Sequence, residues 1–481
     1  MYNDQEQQQE AVGFNFILNL LAPNSPYGSE KIKNLKPFLK SEIDQLESHF
    51  ADIEKIIELR KNHPHKVQEL QLQLMQFKNI AGIITKCEQA ALHEVELFEV
   101  KHFLLTFEKL YDLFLQHLSG LALNNVNFGS MVQLLDEFDP EKKRLIPFAL
   151  NATFSKTLGE IQAQKLNVEA QMRINKTAEL AQARKTLTIE ELAEATKIMQ
   201  VLSEKLRKFI PIFRLNLAAI AELDFLIAKA TLAHEHGGTR PKISQTNTII
   251  LKAMTNPMIA SALAKKQQTF TEISVTLTSG TTIITGANMG GKSVAMKTTV
   301  LNILLCQMGF YPFAKASEIP LFDRIFFLSG DLQNVDQGLS TFGADIFHLN
   351  NLIHKLKSEF IFIALDEFAK GTNPEEGAII VKEVATYLSK RTCICVMSTH
   401  YDKIVAPNFK HYQIVGLDPK KLKHHQSTAF NDANLISQYM DYRLVEKNHS
   451  TKIPRDAFHI CQLIGLDATL LQRIKAHYED C

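Results

Sequence analysis

The sequence predicts a long all-α region followed by an α/β domain built on a largely parallel sheet. Three observations lead there. Up to about residue 240, apolar residues recur at three- and four-residue spacing. Beyond it, short β-branched runs alternate with helical ones. Where one such run meets its helix stands Gly286-Ala-Asn-Met-Gly-Gly-Lys-Ser293, a G-x-x-x-x-G-K-S loop.

The helical reading rests on five stretches: Leu35 to Lys61, Val67 to Ile84, Val95 to Leu118, Phe154 to Arg173 and Ile189 to Leu232. Some are long for a globular helix, which suggests extended antiparallel helices. Pro64, Pro140, Pro147 and Pro211 mark expected breaks or kinks. The strands expected after the junction are Thr281–Thr285, Arg324–Leu328, Phe360–Leu365, Cys393–Ser398 and Tyr412–Gly416. Between and after them fall helices at Ser293–Gln307, Asp345–Lys357, Pro374–Ser389 and Ala457–Ile464. The chain thus divides into a helical region, 1–233, a linker, 234–242, an α/β P-loop domain, 243–440, and a C-terminal helical segment, 441–481.

At 481 residues the chain exceeds one hydrophobic core. Apolar residues make up 45% and charged residues 22%, an ordinary globular balance. A net charge of +1 carries no overall signature of nucleic-acid binding. Six cysteines form no C-x-x-C pair, and Cys393 and Cys395 fall in an expected strand, which favours a reduced cytoplasmic setting. No apolar run reaches 18 residues and the N-terminus is polar and acidic, so neither a membrane span nor a secretory signal is expected.

The P-loop carries specific chemistry. Its glycines let backbone N–H groups turn inward around phosphate oxygens, Lys292 reaches the β- and γ-phosphates, and the Ser293 hydroxyl ligates Mg²⁺. The nucleotide is therefore expected on Gly286, Ala287, Asn288, Met289, Gly290, Gly291, Lys292, Ser293 and Val294. About 75 residues on, the apolar run Phe360-Ile-Phe-Ile-Ala-Leu ends in Asp366-Glu367. Asp366 is suited to hold Mg²⁺, and Glu367 to orient the attacking water. Carboxylates at the C-terminal end of a parallel strand stand where open α/β sheets bind ligands. The next apolar run ends in Ser398-Thr-His400, whose imidazole is suited to sense the γ-phosphate.

Taken together, Thr285 to Ser293, Gly338-Leu-Ser-Thr-Phe342, Leu365-Asp-Glu-Phe-Ala-Lys-Gly-Thr-Asn-Pro-Glu-Glu-Gly377 and Ser398-Thr-His-Tyr401 resemble the ATPase domain of the MutS family, in order and spacing. Ala22-Pro-Asn-Ser-Pro-Tyr-Gly28 resembles the start of that family's core domain, and Ala221-Glu-Leu-Asp-Phe-Leu226 the end of its lever helix. The resemblance implies an ABC-type ATPase domain behind a helical core and lever, using ATP and Mg²⁺. Glu367, His400 and Lys292 match the catalytic positions, and Ser293 and Asp366 the metal positions. It also implies a dimer, with itself or with another MutS-like subunit, joined through the C-terminal segment. In such a dimer Ser340 reaches the nucleotide bound by the partner.

Departures accompany the matches. Ala287 replaces the family's usual Pro, Val294 a Thr, Lys370 an Arg and Asp345 a Glu. The chain is expected to lack the mismatch-reading domain, a DNA-gripping clamp in the lever and a nuclease-like tail. Residues 151–240 hold 13 Lys/Arg against 10 Asp/Glu, a feeble excess for a phosphate-binding surface. The clearest basic cluster is Lys420-Lys-Leu-Lys-His-His425, with Lys403 and Lys410 near it in sequence.

Two clients follow from the resemblance. Duplex or branched DNA, in mismatch repair or recombination control, comes first, and Thr372 to Ala378 resembles the recombination-suppressing branch. The alternative is a protein client. Leu92-His-Glu-Val-Glu-Leu-Phe98 and Ile453-Pro-Arg-Asp-Ala457 resemble MutS-like ATPase subunits that reactivate cobalamin-dependent lysine aminomutases.

Overall fold

The strand and helix alternation resolves into two sheets in a computed structural model that describes residues 2–286, 291–329, 341–401, 404–418, 439–448 and 457–479. Two compact units emerge. One comprises Met1–Leu21, Lys36–Phe50 and Thr231–Cys481, and the other Ala22–Leu35 and Ala51–Ala230. The segments 1–21 and 36–50, expected with the helical region, therefore cluster with the α/β unit. The reason is local packing. The Asn256 side chain donates to the Val12 carbonyl, Phe38 N–H donates to Gln307 O at 2.8 Å, and Phe14 meets Phe310 edge-on.

The strands of the first unit are β1 (Lys242–Ile243), β2 (Thr248–Met254), β3 (Ile273–Thr278), β4 (Gly280–Thr285), β5 (Ala316–Ile319), β6 (Arg324–Ser329), β7 (Ile361–Asp366), β8 (Cys393–Ser398), β9 (Lys410–Leu417) and β10 (Met440–Lys447). Six make one sheet in the order β10-β9-β4-β8-β7-β6, parallel throughout except for β10. β4, β7 and β8 are buried along their whole length, as a parallel sheet covered on both faces requires. Their register aligns Ile284, Ser398, Asp366 and Ser329 across four neighbouring strands. One level of the sheet thus collects the residues that the sequence motifs end on.

The other sheet, β1-β5-β2-β3, has no counterpart in the sequence expectations. Its strands are short and one-sided, and β2 is bulged between Leu251 and Met254, with Ala253 at φ 49. Nor does the expected C-terminal helical segment begin at 441. Residues up to Lys447 pair antiparallel to β9 as β10, and helices follow at Ala457–Ile464 and Ala468–Glu479. An edge strand buries few side chains, so its pattern does not reveal it.

Among its described residues the second unit holds helices and connecting loops but no strand. The stretch Val67 to Ile84, expected as one helix, breaks into Pro64–Leu74 and Ala81–Gln89. Tyr27 sits at the break: its hydroxyl donates to Lys78 O and accepts from Ile80 N–H. Pro211 does not break the helix Ala178–Glu235, whose buried Ile210 and Phe213 hold the turn against the lost hydrogen bond. Among the described residues, no helix is long and apolar enough to cross a membrane.

A single carboxylate joins the two ends of this unit. Asp224, fully buried, accepts from Asn24 N–H at 2.8 Å, Ser25 N–H at 2.7 Å and Ser25 Oγ at 2.6 Å. Gly28 lies so close that a Cβ there would stand 2.3 Å from Asp224 Oδ2. Gly28→Ala is therefore expected to destabilise the unit by about 2 kcal/mol or more, through displacement of a satisfied buried charge. Urea unfolding checks this, and an unchanged midpoint would show that Asp224 can yield.

Candidate nucleotide-binding site

β4 runs out of the sheet at Gly286 and the chain re-enters as the helix Lys292–Gln307. Gly291 caps that helix at φ 95, a torsion that glycine adopts without strain. The edge of the Tyr442 ring packs on it, 3.2 Å from where a Cβ would be. Ala287, Asn288, Met289 and Gly290 lie outside the described residues, as does Ser340. Behind the loop, buried His411 meets the Thr285 hydroxyl at 2.8 Å.

Lys292 is buried at the helix start, and its Nζ donates to Gly286 O at 2.9 Å. Glu367 Oε1 lies 3.9 Å away. Burial pushes the Lys292 ammonium below its ordinary pKa, while Glu367 and Asp366 pull it back up. The cation is thus desolvated and held beside two carboxylates.

Asp366 ends β7. Ser398 Oγ donates to its Oδ1 at 2.5 Å and Ser329 Oγ to its Oδ2 at 3.5 Å. Burial raises the Asp366 pKa, and hydrogen bonds from Ser398 and Ser293 lower it. Glu367 follows in the left-handed region at φ 50. Its N–H donates to Ser398 Oγ at 2.9 Å, and its carboxylate pairs with Lys370 at 2.6 Å. One hydroxyl therefore orders both carboxylates. The sequence reading had Ser398 only as a neighbour of His400. A signal for its role existed in the alignment of two apolar strands ending in Asp-Glu and Ser-Thr-His.

His400 is half-buried just past β8. Burial lowers its pKa, Glu367 raises it, and Lys292 and Lys370 lower it. The structure therefore brings Lys292, Ser293, Asp366, Glu367 and His400 together. Val294 sits on the first helical turn, where its carbonyl accepts from Thr298 Oγ1. The donor set suits a nucleotide with a hard divalent cation. The Ser293 hydroxyl and Asp366 carboxylate offer oxygen ligands, and Lys292 beside a helix N-terminus offers positive charge for phosphate.

Residues 282–448, from β4 through β10, match the family model for MutS domain V. This part of the chain is a MutS-family domain. Domain V is the ABC-type P-loop ATPase domain of MutS proteins. Among curated relatives, Endonuclease MutS2 of Caldicellulosiruptor bescii is 34% identical over 229 residues, 47% of this chain and 28% of that protein. Endonuclease MutS2 of Clostridium perfringens (strain SM101) is 34% identical over 221 residues, 46% and 28% of the two chains. Endonuclease MutS2 of Lactococcus lactis subsp. cremoris (strain MG1363) is 28% identical over 389 residues, 76% and 48% of the two. The match thus spans less than half the length of these MutS relatives.

One residue that sequence reading noted only as a departure from the MutS pattern gains a place here. Asp345, on the helix Thr341–Lys355, is buried and accepts the Ala369 backbone N–H. Burial pushes its pKa up to about 6, against the pull of that N–H and of His348. Folding therefore favours the protonated form. The contribution of Asp345 to stability is full below its unfolded pKa near 4 and is lost as pH rises through about 6. Asp345→Asn carries no such term. Its stability relative to the parent protein is expected to climb between about pH 4 and 7 in urea titrations. A pH-independent difference would mean that the carboxyl titrates normally.

Proposed function

We propose that this chain binds ATP with Mg²⁺ and hydrolyses it, and that the ATP cycle drives a dimeric clamp on DNA. The observation that carries the ATPase reading is the Ser398 hydroxyl bridging Asp366 and Glu367 beside the buried Lys292. In this reading the loop from Gly286 through Gly290 to Gly291, with Ala287, Asn288, Met289 and Val294, lines the phosphates. Lys292 neutralises the β- and γ-phosphate oxygens. Ser293 and Asp366 hold Mg²⁺, which when bound offsets negative charge on the phosphate oxygens.

Glu367 orients the attacking water and accepts its proton. Lys370 and Lys292 stand beside its carboxylate and aim it. His400, kept neutral by burial, donates or accepts a hydrogen bond near the γ-phosphate. Ser340 serves the partner's nucleotide in the dimer, whose subunits meet through residues 441–481. The partner is a second copy or another MutS-like chain, in the cytoplasm.

DNA is the client that family membership and the MutS2 relatives favour. No described residue favours the aminomutase-reactivating alternative. The cluster Lys420 to His425 and Lys403 lie outside the described residues, and Lys410 pairs with Glu446.

Lys292→Ala is expected to abolish nucleotide binding in equilibrium titration with a fluorescent ATP analogue. Glu367→Gln is expected to keep that binding and slow turnover by about two orders of magnitude or more. Parental turnover in Glu367→Gln would overturn its assignment. For the client, ATP hydrolysis is measured with and without duplex, mismatched and branched DNA at low and moderate salt. Stimulation that fades about tenfold or more over a few-fold rise in salt is expected, since each phosphate contact releases counterions. Turnover indifferent to every DNA, with none retained in a shift assay, would point to a protein client.

A further inference from the structure

The segment that carries Glu367 is unusual in its backbone. Glu367 and Ala369 both occupy the left-handed region, at φ 50 and φ 61. L-residues avoid this region, and two within three positions persist only where the surroundings over-determine them. Three side chains from two other parts of the fold, the end of β8 and the helix Thr341–Lys355, hold this one. Ser398 Oγ takes the Glu367 N–H. The Asp345 carboxylate takes the Ala369 N–H. The Tyr401 hydroxyl donates to the Ala369 carbonyl at 3.0 Å.

We infer that Asp345 and Tyr401 are positioning residues for Glu367, acting through the two polar groups of Ala369; this rests on the ATPase reading above. Holding both the N–H and the C=O of one residue fixes its φ and ψ together. With Glu367 N–H also held, the chain between the two left-handed residues has little freedom left. The Glu367 carboxylate then points back toward Lys292 and Lys370 rather than outward.

Both anchors are themselves held. Asp345 is 8% exposed, on a helix of 15 residues. Tyr401 is likewise 8% exposed, and its N–H donates to Thr399 Oγ1. Its hydroxyl fills the space that a side chain at Gly377 would need, 2.4 Å from the position of a Cβ there. The helix Pro374–Ser389 therefore backs the tyrosine. The Asn373 cap and Pro374 set where that helix starts, and so where Gly377 stands.

A positioning role differs from a structural one in what it moves. Nucleotide binding depends on the loop before Lys292, which Asp345 and Tyr401 do not hold, whereas turnover depends on Glu367. The test is steady-state ATP hydrolysis and fluorescent ATP-analogue titration on the full chain. The variants are Asp345→Ala, Asp345→Asn and Tyr401→Phe, with Glu367→Gln alongside. Asp345→Ala is expected to lower kcat about tenfold or more, with Kd within about twofold of the parent. Asp345→Asn keeps an acceptor for the Ala369 N–H and should recover most of that loss. Tyr401→Phe keeps the ring against His400 and loses only the hydroxyl, so a few-fold fall in kcat at unchanged Kd is expected.

Parental kcat in both Asp345→Ala and Tyr401→Phe would overturn the inference. So would losses of Kd that match those of kcat, or an Asn variant as impaired as the Ala one. If Asp345→Ala fails to fold, judged by thermal melting, Asp345→Asn and Tyr401→Phe decide the matter by the same split. Parental turnover in Glu367→Gln would instead sink the ATPase assignment itself, which keeps the two failures distinct.

Discussion

Ser398 Oγ stands between the two carboxylates of the site, donating to Asp366 and accepting from the Glu367 backbone. The arrangement of both carboxylates depends on that small bridge. An ionised carboxylate inside a sheet loses its hydration, a penalty of several kcal/mol that only charge-assisted hydrogen bonds offset. The strand order supplies the donor. β8 lies between β4, which leads to the phosphate loop, and β7, which ends in Asp366. Register then sets Ser398 level with Asp366 on one side and Ile284 on the other. A one-residue slip of β8 would turn the hydroxyl to the opposite face and leave Asp366 unsatisfied.

Burial acts on Lys292 and Asp366 in opposite directions on the pKa scale but toward the same end, neutrality. At Lys292 the charges of Glu367 and Asp366 oppose it, and at Asp366 the hydrogen bonds from Ser398 and Ser293 and the charge of Lys297 do so. A site of this kind is poised for a ligand that brings both phosphate and metal. The negative phosphate oxygens suit the lysine, and the cation suits the aspartate. Glu367 stands beside the same Lys292 and is paired more closely with Lys370. The role of base proposed for it needs a free lone pair rather than a metal ligand.

The helical unit uses buried carboxylates differently. Asp224 gathers the backbone N–H groups of Asn24 and Ser25 across a separation of 200 residues. Asp52, also fully buried, does the same for Asn124 and Asn125. In both cases one charge ends several orphan donors at the start of a turn, which is stronger than a set of neutral caps. The two segments that resembled MutS core and lever, 22–28 and 221–226, prove to be bonded to each other through Asp224.

Much of the site was legible in the sequence. The β4 run, the phosphate loop and Lys292 are contiguous, and so are Asp366 and Glu367, because a strand end and a turn are local matters of side-chain period and backbone torsion. Helices such as Pro374–Ser389 were readable from their caps. The rest depended on distance in the chain. Asp345 and Tyr401 lie more than 20 residues from Ala369 on either side, and no local pattern ties them to it. The sheet β1-β5-β2-β3 and the edge strand β10 are stabilised by main-chain pairing with distant partners, which leaves a weak side-chain signature. By itself, then, the sequence determined the strands and helices around the phosphate loop and the likeness to MutS. Only the tertiary structure decided which hydroxyl and which backbone contacts aim Glu367, because strand order and register are set by packing across the whole sheet.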